Sequence, residues 1–215
     1  VVYNEKRQKD SIKFFEISDV YTSKEKLKSE KKLSIIISGR QGQNHIDFYK
    51  KLDKKYIIKL FQEINISVEH YIVEVNRKHL DSKIKTPIYA LEIPLDYLSD
   101  SIKNYIANNN NPNEFIKYKP ISDFPSSTRD LSFSIKISSK INEVINILSK
   151  IESGIIKNSF MFDFYENKKI NESKIGYRFI FQSDSRTLTD IEINEEIKKI
   201  TNLVLSIEST SLPGS

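Results

Sequence analysis

Acidic, aromatic and basic side chains alternate with apolar ones in the second half of this 215-residue chain. The polar positions Asp163 and Tyr165, and likewise Lys174, Gly176 and Arg178, follow the two-residue repeat of one face of a β-strand. On such a face a tyrosine can stack on an unpaired base, cations can meet phosphates, and a carboxylate can contact a base edge. The same alternation is typical of an ordinary solvated sheet face. The pattern alone leaves both interpretations open.

Other residues give weaker signals for chemistry. The histidines His45, His70 and His79 match no metal-ligand template, and the chain has no cysteine, which excludes disulfides and thiolate sites. The segment from Gly39 to Gly42 lacks the glycine spacing of a phosphate loop and is predicted to be a turn. We therefore expect no catalytic residue and no metal site.

Two arginines, Arg129 and Arg186, flank the ends of the predicted sheet. Either could bind a phosphate, or could pair with a carboxylate such as Asp130 or Asp184. The run 24–32 mixes lysine with glutamate and is predicted to be a solvated hairpin or loop.

The elements that would position these side chains follow the order β-α-β-β-α-β. An alternating strand is predicted at 131–137, followed by a helix from Ser139 to a stop at Gly154. Alternating strands follow at 160–165 and 175–181, on either side of a turn at 167–171. A Thr189–Glu192 capping box then begins a long helix, and a last strand is predicted at 211–212. This order predicts a ferredoxin-like sandwich with both helices on one face of an antiparallel sheet. The opposite face is predicted to be uncovered. Besides the five residues named first, it would carry Asp130, Ser132, Ser134 and Lys136.

The first half is predicted to be α+β with its topology open. Strands are expected at 12–21, 33–37, 68–75 and 88–93, and helices at 48–63, with Phe48, Leu52, Tyr56, Ile57, Leu60 and Phe61 inward, and at 95–106. The asparagine-rich segment 108–113 and the prolines at 112, 120 and 125 indicate a linker. We therefore expect two domains, 1–117 and 118–215.

Composition sets wider bounds. The net charge of +5 is a weak indication of a polyanionic partner. No apolar run approaches the roughly 20 residues of a membrane-spanning helix, so we expect no membrane partner and, by default, the cytoplasm. The first residue is valine rather than methionine, from which we expect a piece of a longer protein.

Three segments of the second half resemble the C-terminal anticodon-binding domain of phenylalanyl-tRNA synthetase. Residues 118–133 resemble its opening, Phe162-Asp163-Phe164-Tyr165 resembles its Phe-Asp-x-Tyr strand, and Ser185 to Asp190 resembles its Arg-Thr-Leu-x-Asp/Glu entry to the last helix. They occur in the family's order.

The first half resembles the synthetase-like domain of the bacterial-type beta subunit. The matching segments are 14–21, with Ser18 where the family has glycine, then 36–40, 47–49 and 88–93; the Gly-x-x-His-Pro turn expected before residue 88 is missing. The resemblance implies a non-catalytic relative of the class II synthetase fold that packs against the alpha subunit.

The resemblance also implies site residues. Tyr165 would stack on the first anticodon base and Asp163 would contact its edge. The family's Lys-Ser pair on the next strand is reversed here as Ser173–Lys174, which leaves open which side chain meets the RNA. The face pattern, independently of the resemblance, adds Arg178 to the same expected anticodon site. Arg129 and Arg186 are expected as phosphate contacts or, equally, as partners of a carboxylate.

The implied function is that of the C-terminal part of a phenylalanine–tRNA ligase beta subunit. It would recognise tRNA(Phe) and support an alpha2-beta2 assembly, while the alpha subunit activates and transfers phenylalanine with ATP and Mg²⁺. Residues 1–117 show no pair of class II arginines and the chain has no room for an editing domain, so we expect neither activity and no cofactor here. Two alternatives remain: part of a single-chain organellar synthetase, or a free-standing ferredoxin-like module that binds RNA or protein.

Overall fold

The computed structural model describes residues 4, 9, 11–23, 27–81, 83–98 and 120–213. The described residues form two compact units, the first drawn from ranges 1–41 and 51–117 and the second from 42–50 and 118–215. The asparagine-rich segment 108–113 and the predicted domain boundary at 117 lie outside the described residues, so that boundary stays a prediction. The described part of the predicted linker, 120–125, forms neither helix nor strand. The sequence did not indicate that residues 42–50, which precede the first helix, belong to the second unit.

Within the described residues, the first unit contains an antiparallel four-stranded sheet and a nine-residue helix. Its elements are β1 (Ser11–Ser23), β2 (Leu27–Gly39), α1 (Lys54–Gln62), β3 (Ile72–Glu74) and β4 (Ile88–Pro94), with short 3-10 turns at Glu69–Tyr71 and Arg77–His79, and the strand order is β1-β2-β4-β3. Ile37, Leu91 and Ile93 of the sheet are buried against Ile57 and Phe61 of α1. The α+β class predicted for this half is confirmed.

Local hydrogen bonds explain where the first-half elements depart from prediction. The helix expected from residue 48 begins at Lys54, because the Asp53 carboxylate accepts a bond from the Tyr56 amide at 3.0 Å and fixes the start there. Before it, the Asn44 side chain accepts bonds from two following amides and forms a turn. Phe48 therefore lies outside the helix, and Leu60 is exposed rather than inward. Residues 27–32 are strand. Only 95–98 of the predicted 95–106 helix lie within the described residues, and of these 96–98 are helical.

The second unit is the predicted ferredoxin-like sandwich. Its elements are β5 (Ser127–Ile135), α2 (Ile141–Ser149), β6 (Ile156–Asn167), β7 (Glu172–Phe181), α3 (Asp190–Leu205) and β8 (Thr210–Ser211), with a 3-10 turn at Ser138–Lys140 and strand order β6-β7-β5-β8. All strand pairs are antiparallel. The fold class expected from the sequence is confirmed.

Both helices cover one face of this sheet. The buried core residues are Phe133 and Ile135 of β5, Ile175, Tyr177, Phe179 and Phe181 of β7, Val144 and Leu148 of α2, and Ile193, Ile200 and Val204 of α3. The predicted capping box at the start of α3 is present, with Thr189 and Glu192 bonded reciprocally. The predicted limits of α2 are wrong. Lys140, without a side-chain cap bond, precedes the helix in place of Ser139, and the helix ends at Ser149, before Gly154.

A β-bulge sets which side chains of β6 face which way. The register between β6 and β7 shifts between Met161 and Asp163. Met161 packs against the core, whereas Phe160 is opposite Arg178 and Phe162 lies over Gly176 on the other face. The alternation predicted for the strand at 160–165 therefore holds only after the bulge, because the extra residue changes the phase of the strand.

Candidate nucleic-acid interface

Asp163, Tyr165 and Lys174 lie together on the sheet face that the helices do not cover. Tyr165 is directly opposite Lys174, and Asp163 is opposite Gly176 on the same pair of strands. All three side chains are exposed, with 56% of Tyr165 accessible. Within the described residues, none of the three makes a side-chain hydrogen bond or ion pair. An aromatic surface, a cation and a carboxylate are thus available side by side to a ligand.

Gly176 permits this arrangement. A Cβ built at Gly176 would lie 2.9 Å from the Cβ of Asp163 and 2.9 Å from the Cζ of Phe162. Those distances are shorter than ordinary van der Waals contact, so a larger residue would displace the bulged strand. The glycine therefore allows both Asp163 and the Phe162 ring to lie close to β7.

Residues 42–50, here called the Phe48 loop, cover another part of this face. Phe48 is only 3% exposed, and its ring centroid lies 6.1 Å from that of Phe160 and 5.2 Å from that of Phe162. The Gln43 side chain accepts a 3.0 Å hydrogen bond from Asn158. The face predicted to be uncovered is therefore open only in part. The contact joins residues more than a hundred positions apart, and no local sequence pattern indicated it.

Arg178 is held by several partners under this loop. Its guanidinium donates two hydrogen bonds of 2.7 Å to the Asp130 carboxylate, a bidentate pair. The guanidinium carbon also lies 4.9 Å from the Phe48 ring centroid and 5.3 Å from that of Phe162, within cation–π range. Its side chain is 21% exposed. These contacts fix Arg178 as part of the sheet and leave little of it for a ligand.

Ser173 and Lys174 are distinguished by burial. Ser173 is fully buried, and its Oγ has no hydrogen-bond partner among the described residues. Because adjacent strand residues face opposite ways, Lys174 projects from the open face instead. The sequence left open whether Ser173 or Lys174 would meet a ligand. Of the two, Lys174 is the residue that lies at the surface.

Arg129 and Arg186 both pair with the first turn of α3. Arg129 donates a 2.7 Å bond to Asp190, and Arg186 forms a bidentate pair with Glu192. Hydrogen bonds from Arg186 and from Thr189 lower the pKa of the Glu192 carboxyl to about 2. The sequence left open whether these arginines bind a phosphate or pair with a carboxylate. In the structure both pair with a carboxylate, but with acids different from Asp130 and Asp184.

Metal and histidine chemistry find no support in the described ranges. Nowhere in them do three or more acidic or histidine side chains converge as a metal site requires. The His45 ring lies edge-on to Phe164, with centroids 6.0 Å apart. No helix in this part of the chain has the length and apolar character needed to cross a bilayer.

Comparison with known families accounts for both units. Residues 122–208 match the model of the ferredoxin-fold anticodon binding domain, and residues 1–93 match that of the phenylalanyl tRNA synthetase beta chain CLM domain. Each model covers less than half of the chain, and together they span most of it, which supports the expected resemblance to the phenylalanyl-tRNA synthetase beta chain. The match of residues 1–93 to a beta-chain domain favours this family over the single-chain organellar form.

The similar curated proteins are phenylalanine–tRNA ligase beta subunits. The chain is 25% identical to "Phenylalanine--tRNA ligase beta subunit, chloroplastic" of Porphyra purpurea, covering 94% of this chain and 33% of that protein. It is 28% identical to the beta subunit of Dehalococcoides mccartyi, covering 92% and 27%, and 32% identical to that of Francisella tularensis, covering 57% and 14%. The chain thus spans a third or less of the length of these beta-chain relatives.

Proposed function

We propose that this chain acts within a phenylalanine–tRNA ligase and recognises the anticodon of tRNA(Phe) through Asp163, Tyr165 and Lys174. The observation that carries the proposal is the exposed Tyr165 ring, which lies directly opposite Lys174 and has no hydrogen-bond or ring partner among the described residues. The Tyr165 ring would stack on one unpaired base. Lys174 would meet an adjacent phosphate, and Asp163 would accept a hydrogen bond from the base edge.

The other expected site residues take supporting roles in this proposal. Arg178, paired with Asp130 of β5 and lying over the Phe162 ring of β6, would hold β7 against both neighbouring strands rather than contact RNA. Arg129 and Arg186 would stabilise the start of α3 through their carboxylate partners. Ser173 would have no contact with RNA because it is buried.

The remaining functions are proposed for the assembly. Residues 1–117 would form the non-catalytic synthetase-like domain and residues 118–215 the anticodon-binding domain. The alpha subunit would be the partner in an alpha2-beta2 assembly, and it would use ATP and Mg²⁺ to activate and transfer phenylalanine. We propose the cytoplasm as the compartment. One similar protein is named as chloroplastic, so a fluorescent fusion expressed in the source cells would test this part.

The tRNA proposal is tested by titrating the full chain with tRNA(Phe) in a filter-binding assay. Tyr165→Ala should weaken binding by about 1–3 kcal/mol, the value of one base–aromatic stack, which is about 5- to 150-fold. Tyr165→Phe should retain binding because the ring remains. Tyr21→Ala, which removes an exposed tyrosine of the first unit (63% exposed), is the matched control and should leave binding unchanged.

Two further variants test the neighbouring strand. Lys174→Ala should weaken binding, and Ser173→Ala should not. Equal affinity of Tyr165→Ala and the unaltered chain would reject the site. Equal affinity for an unrelated tRNA would reduce the proposal to general RNA binding.

The partner proposal needs its own experiment. The chain is mixed with the alpha subunit and run on a sizing column, and co-elution is the expected result. Separate elution at micromolar concentrations of both proteins would contradict an alpha-binding surface on this chain.

A further inference from the structure

Four lysines surround the end of the second unit's sheet nearest Tyr165. Lys174 is opposite both Tyr165 and Ser134, and Lys136 follows immediately after β5 ends at Ile135. Lys168 and Lys169 form the turn that closes the β6–β7 hairpin. All four side chains are exposed.

Hydrogen bonds hold these lysine-bearing segments together. The Lys169 amide donates a 3.1 Å bond to the Asn167 side chain, which fixes the turn. Ser138, two residues after Lys136, donates a hydrogen bond to the Asn171 side chain at the other end of the same turn. The segment after β5 and the hairpin turn are therefore neighbours.

These lysines differ from the arginines of the unit in having no carboxylate partner. Arg129, Arg178 and Arg186 all form ion pairs. Within the described residues, the ammonium groups of the four lysines make neither an ion pair nor a hydrogen bond.

Acidic side chains also lie at this end of the sheet. Asp163 and Glu172 face the same side of the sheet as Lys174, and Glu172 accepts a hydrogen bond from Ser134. Glu166 is opposite the buried Ser173 and belongs to the other face. Within the described residues, none of these carboxylates pairs with any of the four lysines, so the lysine charge is available next to the exposed Tyr165.

We infer that Lys136, Lys168, Lys169 and Lys174 form a phosphate-binding site for the backbone of single-stranded RNA on both sides of the base stacked on Tyr165. The inference rests on the proposed function of Tyr165. Flexible ammonium groups supply sequence-independent attraction to phosphates, whereas Tyr165 and Asp163 contact the base. The geometry favours RNA over other polyanions because the free charge lies beside an exposed aromatic ring, the combination that binds unpaired nucleotides.

The test is the salt dependence of binding to a stem-loop RNA that carries the anticodon loop of tRNA(Phe). Lys168→Ala/Lys169→Ala should reduce the slope of log affinity against log salt concentration by about 1.4, since each phosphate contact on a single strand contributes about 0.7. Lys168→Arg/Lys169→Arg should restore the slope. The matched control is Lys150→Ala/Lys198→Ala, which removes the same charge from two exposed lysines on the helices' side of the unit and should leave the slope unchanged.

Failure of this inference is distinguishable from failure of the proposed function. If Tyr165→Ala weakens binding but the Lys168/Lys169 variant keeps the full slope, the lysine site is rejected and the anticodon site stands. If neither variant changes binding, or the unaltered chain does not bind the stem-loop, both are rejected. An equal loss of slope in the Lys150/Lys198 control, or equal weakening of heparin binding, would make the effect one of net charge and overturn the inference.

Discussion

Replacing Gly176 by alanine tests whether close approach of the bulged strand fixes the position of Asp163. The new Cβ would lie 2.9 Å from the Asp163 Cβ and from the Phe162 Cζ. The Asp163 Cβ is attached directly to the backbone, so β6 itself must move, and overpacking of this kind costs about 1–3 kcal/mol. Alanine also stabilises the folded chain by about 0.4–1 kcal/mol, because it reduces the freedom of the unfolded chain.

Gly154→Ala supplies the matched control for this change. A Cβ at Gly154 meets nothing within 4 Å, and its backbone is not in the left-handed region, so only the effect on the unfolded chain remains. The difference in unfolding free energy between the two variants therefore isolates the strain, about 1–3 kcal/mol. Urea unfolding followed by far-ultraviolet circular dichroism measures it. Identical unfolding free energies for the two variants would refute the argument that this glycine is required by the bulge.

Three further predictions concern stability. Ser173→Ala should raise the free energy of unfolding by about 1 kcal/mol in urea, because it removes a buried hydroxyl that has no partner among the described residues; a loss of stability would contradict this. Phe48→Ala should lower it by about 3–5 kcal/mol, whereas alanine at the exposed neighbour Tyr49 should have little effect; equal effects would mean that the Phe48 loop is not packed. The pKa of Glu192 is lowered to about 2 from its ordinary 4.5, so its ion pair stabilises the fold above pH 4.5 and is lost as the pH falls toward 2. Glu192→Gln should therefore remove part of the acid dependence of stability in that range, and an unchanged acid titration would argue against the pair.

Features governed by neighbours in sequence were the ones that could be predicted. The strand–helix order of the second half follows from two- and four-residue repeats, and the capping box of Thr189 and Glu192 lies within one helical turn. The placement of Tyr165 and Lys174 on one exposed surface also follows from the sequence. Tyr165 comes after the bulge in β6, and Lys174 lies on β7, which has no bulge at this position, so both keep the simple alternation. Such features need only local geometry.

Features governed by distant contacts could not be predicted. The bulge at Met161 to Asp163 depends on the glycine in the opposite strand, and nothing within β6 marks it. The carboxylate partner of Arg129 lies 61 residues away, so the sequence could name the choice between phosphate and carboxylate without deciding it. The Asp130 partner of Arg178 lies 48 residues away, and the sequence did not indicate that pair. Phe48 was assigned to a helix because its local spacing fits one, and only the fold brings it onto Phe162.

The covered part of the open face explains how a phenylalanine-rich strand can present a single stacking surface beside the lysines. Without the Phe48 loop, the rings of Phe160 and Phe162 would also face outward and could stack on bases without regard to position. Phe48 packs on both rings. The Arg178 guanidinium lies over the Phe48 ring, and its charge is neutralised by Asp130. Tyr165 lies past this covered group, next to Lys174. In this arrangement the apolar part of the face stabilises the sheet, and the polar end remains free to bind. The phase shift at the bulge places Phe160 and Phe162 on the covered part and Tyr165 beyond it, so it matters as much to the proposed site as the side chains themselves.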